Sequence, residues 1–153
     1  MNYIKYIRAM VGTAPINLIG AVTIMHKDNQ VLLQHRRNGN SGKWGLIGGI
    51  TELGESLENT AKREAFEETG LNIKHLNLVA THSGEESFIE VENGDKFYSV
   101  TVCYETSDYD GNLCVDLNES YEMKYFDFDS LPNNMVGSHL TLINKYLEKN
   151  NES

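Results

Sequence analysis

Apolar residues crowd Leu18 to Met25 and Val31 to Leu33, and the polar tripeptide Lys27-Asp28-Asn29 lies between the two runs. Strand-length apolar runs joined by a short turn-forming segment predict a β-hairpin, Leu18 to Met25 against Gln30 to Arg36. Arg37 to Lys43 reads as a glycine- and asparagine-rich loop, Trp44 to Ile47 as a short strand, and Gly48-Gly49 as a tight turn. Leu76 to Ser83, Phe97 to Thr106 and Tyr121 to Phe128 are rich in β-branched and aromatic residues and read as strands. Tyr3 to Met10 reads as a short lead-in helix. Beyond Pro132, Ser138 is expected to cap a last helix reaching about Lys149, with Leu140, Ile143, Tyr146 and Leu147 on one face.

Between Glu55 and Gly70 the pattern takes a helical period. Ser56 suits the N-cap, Gly70 the C′ stop, and Ala61, Lys62, Arg63, Glu64 and Ala65 are good helix formers. Asn59 stands where Glu or Gln would complete a reciprocal capping box, so the cap is one-sided. At about 100° per residue, Leu57, Ala61 and Ala65 form a narrow apolar stripe, while Glu58, Asn59, Lys62 and Thr69 point to solvent. Glu64, Glu67 and Glu68 fall in an arc overlapping that stripe, so all three are expected to be partly sheltered.

Like charges three and four residues apart repel, and shelter strengthens the repulsion, so this trio calls for a compensating positive charge. Arg63 reaches Glu67 one turn on, but one guanidinium cannot neutralise three carboxylates. An all-oxygen set is what Mg²⁺ or Mn²⁺ prefers. The bland alternative is a solvated acidic face, and the wheel puts these acids on the wrong side for it.

Gly49, Glu55, Arg63, Glu64, Ala65, Glu67, Glu68, Gly70 and Leu71 together match the complete Nudix box, G-x5-E-x7-R-E-U-x-E-E-x-G-U, where U is bulky or aliphatic. The chain thus resembles the Nudix hydrolases over nearly its whole length. The resemblance implies an α+β fold of the family's α/β/α sandwich type, with a curved mixed β-sheet that holds the box as loop-helix-loop.

Composition narrows the expectation. At 153 residues, 40% hydrophobic and 23% charged, the chain suits one domain spanning residues 1 to 153. A net charge of −9 and a pI near 4.9 argue against a nucleic acid polymer as partner, capped RNA included. Small phosphorylated partners stay open, because a bound cation reverses the local field. Met1 to Gly12 has no continuous apolar segment, and no run has membrane length, so a cytoplasmic protein without membrane contact is expected. Cys103 and Cys114 lack zinc-site spacing and read as reduced structural thiols. Asp108, Asp110, Asn112, Asp116 and Glu119 mimic an EF-hand loop, but Leu113 stands where Gly is needed and the flanks read as strands, which favours a polar turn.

For the chemistry, the resemblance implies attack by water on a phosphoanhydride of a nucleoside diphosphate linked to a group X, with Mg²⁺ or Mn²⁺ as cofactor. Glu64, Glu67 and Glu68 match the family's metal-binding acids, with Glu64 open between ligand and base. The backbone carbonyl of Gly48 matches a further ligand, and the missing side chain lets it approach an ion closely. Arg63 matches the residue that orients the acids, with Glu55 as its other partner and Gly49 alongside, so these stand around the metal rather than on it. A later loop acid serves as base in several members; Glu119 matches by spacing, with Glu122 as alternative, and both read equally well as solvent-facing residues. Arg36 matches a phosphate-contacting arginine, backed by Arg37 and Lys43. The alternative is a catalytically silent nucleotide-sensing domain, and the resemblance leaves room for a homodimer.

Substrate signals are sparse. The window that carries Pro in ADP-ribose hydrolases has none, and Phe88 falls near the position where dinucleoside polyphosphate hydrolases carry Tyr, which makes it a candidate for substrate stacking. Two cysteines cannot form the four-cysteine zinc module of some NADH-cleaving members. Ile47 replaces the Pro that often precedes the Gly-Gly pair, which loosens that expected turn.

Overall fold

The computed structural model describes residues 2–37 and 42–151, so most of the loop expected between Arg37 and Lys43 lies outside the described residues. The chain runs α1 (Tyr3–Val11), β1 (Ile16–Lys27), β2 (Gln30–Arg36), β3 (Trp44–Gly45), β4 (Ile47–Ile50), α2 (Leu57–Thr69) and β5 (Asn72–Ile73). It continues through β6 (Asn77–His82), a 3-10 turn (Glu85–Ser87), β7 (Phe88–Glu90), β8 (Lys96–Thr106), β9 (Tyr109–Asp110), β10 (Ser120–Asp127) and α3 (Gly137–Asn151).

The main sheet has the order β10-β2-β1-β8-β6, with β3 on β2, β4 on β1 and β7 on β8. It is mixed: β1 runs parallel to β8 from Ile16↔Phe97 to Met25↔Thr106, while β2, β4, β6 and β10 pair antiparallel. The β1–β2 hairpin turns at Asp28 and Asn29, whose positive φ values of 53° and 62° match a primed hairpin turn.

β1 is apolar nearly throughout because it is central and covered on both faces. Val22 and Ile24 join Val31, Leu33, Leu142, Ile143 and Tyr146 in a core beneath α3. Ala21 and Met25 face the other way, towards Ala61 and Ala65 of α2. α2 and α3 therefore sandwich the sheet, an α+β architecture. Both cysteines are free, Cys103 buried and Cys114 exposed, and burial pushes the Cys103 thiol up to about 12. Among the described residues, no helix is long and apolar enough to cross a membrane.

Several local expectations are corrected. Gly48-Gly49 is no turn: both residues pair within β4, Gly48↔Val22 and Gly49↔Ala21. Glycine is needed for close approach, since a Cβ on Gly48 would stand 2.7 Å from Val22 Cα. β5, β7 and β9 have only two or three residues each, too short for a readable period. α3 begins at Gly137 and buries His139, Leu142, Ile143 and Tyr146, leaving Leu140 exposed. Thr69 is buried where solvent was expected, its hydroxyl donating to Ala65 O and accepting from Leu71 N at 3.0 Å. The EF-hand-like stretch forms β9 and a loop docked on the end of α2, with Cys114 N donating to Thr69 O at 2.7 Å.

Candidate active site

α2 starts on Ser56, whose side chain accepts from Asn59 N at 3.1 Å, and stops on Gly70, held at φ 75°. Both caps follow from the residue types, and together they fix which side chains lie over β4. Arg63 is the hub. Its Nε donates to Glu55 Oε2 at 2.7 Å and its Nη2 to Glu55 Oε1 at 2.9 Å, a bidentate pair. Nη1 reaches Glu64 Oε1 at 2.8 Å and Glu67 Oε2 at 3.2 Å, and Nη2 also reaches Ile50 O at 3.1 Å. The hydrogen bonds from Arg63 hold the Glu55 carboxyl down at about 2, helped by Thr60 and the backbone of Glu52. Glu55 in turn raises the Arg63 guanidinium above its ordinary value.

The three box acids are not equivalent. Glu68 is 8% exposed, the Glu64 side chain 17% and the Glu67 side chain 56%. Shelter was expected for all three. Glu67 lies on the open flank of α2 with its carboxylate turned onto Arg63. Glu64 and Glu68 lie within hydrogen-bonding reach of each other, and burial raises both carboxyls; for Glu68 the neighbouring Glu64 charge adds a second push. Glu64 packs on Gly49, where a Cβ would stand 2.6 Å and 2.7 Å from its two oxygens, so any side chain there would displace the Glu64 carboxylate. Gly48 N donates to Glu68 Oε2 at 3.3 Å. Among the described residues no three acids converge as a ready-made metal cage.

Gly48 and Gly49 also line a cleft of about 1290 Å³, together with Arg36, Arg37, His82 and His139. Arg36 is half-buried, which lowers its pKa, while the charges of Glu68 and Glu119 oppose that shift. Arg37 places its guanidinium 4.2 Å from the ring centroid of Tyr121, and its N–H donates to Glu119 O at 3.0 Å. Lys43 is exposed, with its carbonyl accepting from Arg36 N at 2.8 Å. Glu119 is an exposed loop residue close enough to be felt by Arg36, whereas Glu122 sits on β10 opposite His35. Phe88 is not brought to this cleft: its ring lies against Tyr98 at 5.1 Å, and its neighbours Ser87 and Ile89 line the cleft instead. Alternation along β7 turns Phe88 away.

Three site-lining or site-supporting residues escaped the sequence reading. His139 accepts from Leu46 N at 3.0 Å through Nδ1, which places its proton on Nε2. Burial first, then Arg36 and His82, lower its pKa to about 3, so it is neutral. Gln34, 3% exposed, donates to Glu68 Oε2 at 3.3 Å, and Ser120, fully buried, donates to Gln34 Oε1 at 2.8 Å. A polar residue at a core-facing strand position was the available signal for Gln34.

The fold and site define a two-helix sandwich with a sheltered carboxylate pair beside a cleft whose lining holds Arg36 and Arg37 together with Glu86, Glu90 and Glu92. A model of the NUDIX domain matches residues 17–146. The chain belongs to the Nudix family. Among curated relatives, the NAD-capped RNA hydrolase NudC of Escherichia coli O157:H7 is 30% identical over 112 residues, 72% of this chain and 39% of that protein. The NudC of Edwardsiella ictaluri is 31% identical over 111 residues, again 72% and 39%. The chain thus spans about 39% of the length of these relatives. Among solved structures, the MutT NUDIX hydrolase from Burkholderia pseudomallei superposes with a TM-score of 0.75 at 23% identity, covering 84% of this chain and 97% of that one. The NUDIX domain of Shewanella oneidensis NrtR, complexed with ADP ribose, gives 0.67 at 24% identity, covering 97% and 99%. These likenesses show the curved mixed-sheet fold.

Proposed function

We propose that this chain is a pyrophosphohydrolase that needs Mg²⁺ or Mn²⁺ and cleaves the phosphoanhydride of a small nucleoside diphosphate linked to X. The observation that carries this reading is the Glu64–Glu68 pair, two sheltered carboxylates beside Gly48 and Gly49, which line a cleft that also holds Arg36 and Arg37. The residues fit a hard divalent cation: the donors are all oxygen, and burial together with the neighbouring Glu64 charge raises the proton affinity of Glu68, which a bound cation would relieve. Glu68 and Glu64 would hold the ion, with Glu67 and the Gly48 carbonyl completing the set, and Arg63 with Glu55 would orient them. A bound ion supplies neutralisation of phosphate oxygens and a lower pKa for attacking water. Arg36 and Arg37 take the diphosphate, and Glu119 receives the proton of the attacking water. The intact acid set favours catalysis over silent sensing, since sensing alone would not require a repulsive buried pair.

Two points bear on the substrate. Charge argued against a polymer, but the relatives are named for NAD-capped RNA, so those names do not support that exclusion. The deciding experiment is a phosphate- and nucleotide-release screen with Mg²⁺ or Mn²⁺ over nucleoside triphosphates, nucleotide sugars, dinucleotides, NAD and an NAD-capped oligonucleotide. Turnover of a small nucleotide derivative is the expected result. No turnover anywhere, with tight binding of one nucleotide, would replace the enzyme by a sensor.

A further inference from the structure

We propose that Gln34 is a positioning residue for Glu68 and that Ser120 locks it in place; this rests on the metal-dependent reading above. On β2, Leu32, Gln34 and Arg36 share the face towards α2, so a core position there is occupied by an amide between an apolar residue and a half-buried guanidinium. A buried amide is tolerated only where its donors and acceptor are matched. Here they are. Nε2 donates to Leu46 O at 3.1 Å and to Glu68 Oε2 at 3.3 Å, and Oε1 accepts from Ser120 Oγ at 2.8 Å.

The network also decides which way the amide faces. Leu46 O can only accept, so the NH₂ group must turn towards it, and the same group then meets Glu68. Ser120 donates to the opposite end and makes the flipped amide unfavourable. With Gly48 N also on Oε2, that oxygen of Glu68 is held by two N–H donors. The carboxylate is thereby fixed in rotation.

The placement of Ser120 needs a backbone device. β10 pairs Ser120 with Arg36 and then Glu122 with His35, a register shift that bulges Tyr121 outward. The bulge lets Ser120 and Met123 face α2 together, and it links the residue that follows Glu119 to the box acid Glu68. Gln34 thus joins the loop carrying the proposed base to the proposed metal ligand.

The test is Mn²⁺ binding, read by the electron paramagnetic resonance of free Mn²⁺, on wild type, Gln34→Leu, Ser120→Ala and the double variant. Thermal unfolding of each metal-free protein is followed alongside. Loss of an outer partner of a ligand weakens metal binding by about 10- to 100-fold, which is the expected loss for Gln34→Leu. Ser120→Ala should lose less, and the double variant should bind no worse than Gln34→Leu, because Ser120 acts only through Gln34. A merely structural role would lower the unfolding temperature and leave Mn²⁺ affinity at the wild-type value, and that result would overturn the proposal. If Gln34→Leu does not fold, unchanged affinity in Ser120→Ala overturns it equally. Wild type that binds no Mn²⁺ and releases no phosphate would instead remove the metal-dependent reading itself.

Discussion

One arginine on the acidic helix and one on the neighbouring strand have surroundings that differ in kind. Arg63 is saturated by Glu55, Glu64, Glu67 and the Ile50 carbonyl, and Glu55 alone takes two of its hydrogen bonds. Arg36 is half-buried, feels Glu68 and Glu119 as charges, and forms no salt bridge with a described residue. The first is a clamp with its hydrogen-bonding capacity consumed. The second lines the cleft, where burial imposes a desolvation cost that the charges of Glu68 and Glu119 partly offset. In the sequence Arg63 stands mid-helix in α2 and Arg36 at the end of β2. Only the packing separates a residue that clamps the helix to its neighbours from one that lines the cleft.

The largest expected effect comes from the acid pair between these arginines. Glu68→Gln should lower turnover by more than about 100-fold, since loss of a ligand exceeds loss of an outer partner. Glu67→Gln should cost less, because Glu67 is exposed on the flank of α2. Near-normal kcat in both variants would refute the ligand assignment. Stability should move oppositely. A carboxyl whose pKa is raised by folding stabilises the fold below its unfolded pKa, and that contribution is lost as pH rises through the folded value. Glu68 is such a group. Metal-free Glu68→Gln should therefore melt above wild type at pH 8, and a lower melting temperature would show that the buried pair is better compensated than the clamp geometry implies.

The clamp comes next. The Glu55 carboxyl is held at about 2 against an ordinary 4.5, so its contribution is present above pH 4.5 and disappears as pH falls towards 2. Glu55→Gln should cost up to about 3 kcal/mol at pH 7, measured by denaturant unfolding, and the gap to wild type should close at low pH. A gap that persists at pH 2 would mean that the variant acts through packing. Arg36→Ala should do the reverse of Glu55→Gln: KM rises about 10-fold with little change in stability, as expected for one charge-assisted hydrogen bond to substrate. Equal effects on KM and unfolding from both variants would erase the distinction between clamp and binder.

What was legible beforehand follows the same division. The box residues, the helix caps and the hairpin were readable because each depends on neighbours within a few positions. The clamp was partly readable, since Arg63 and Glu67 lie one turn apart. Gln34, Ser120 and His139 were not, because Gln34 meets Ser120 across 86 residues and His139 meets Leu46 across 93. Thr69 was misplaced for a related reason: the loop through Cys114 covers the end of α2 on a side that a lone helix would leave to water. Phe88 was chosen by counting from the box, and counting carries no information about which face of β7 a side chain takes.

The smallest expected effect sharpens the picture around Arg36. His139 is neutral, with its pKa lowered to about 3 by burial, Arg36 and His82, so the imidazole adds no charge to those of Arg36 and Arg37 on the cleft wall. Above the ordinary value of 6.5 neither folded nor unfolded chain protonates His139, and it contributes no pH dependence. Below 6.5 the unfolded chain takes a proton that the folded one refuses, and stability falls by at most about 1.4 kcal/mol per pH unit until pH nears 3. Between pH 6.5 and 5.5 this amounts to about 1 kcal/mol. In His139→Asn the amide oxygen can still accept from Leu46 N–H, but nothing titrates there. Unfolding free energies of the two proteins should therefore diverge as pH falls, with wild type losing more. Parallel curves would mean that folding does not depress the His139 pKa, and the imidazole would then add its charge to those of Arg36 and Arg37 as pH falls.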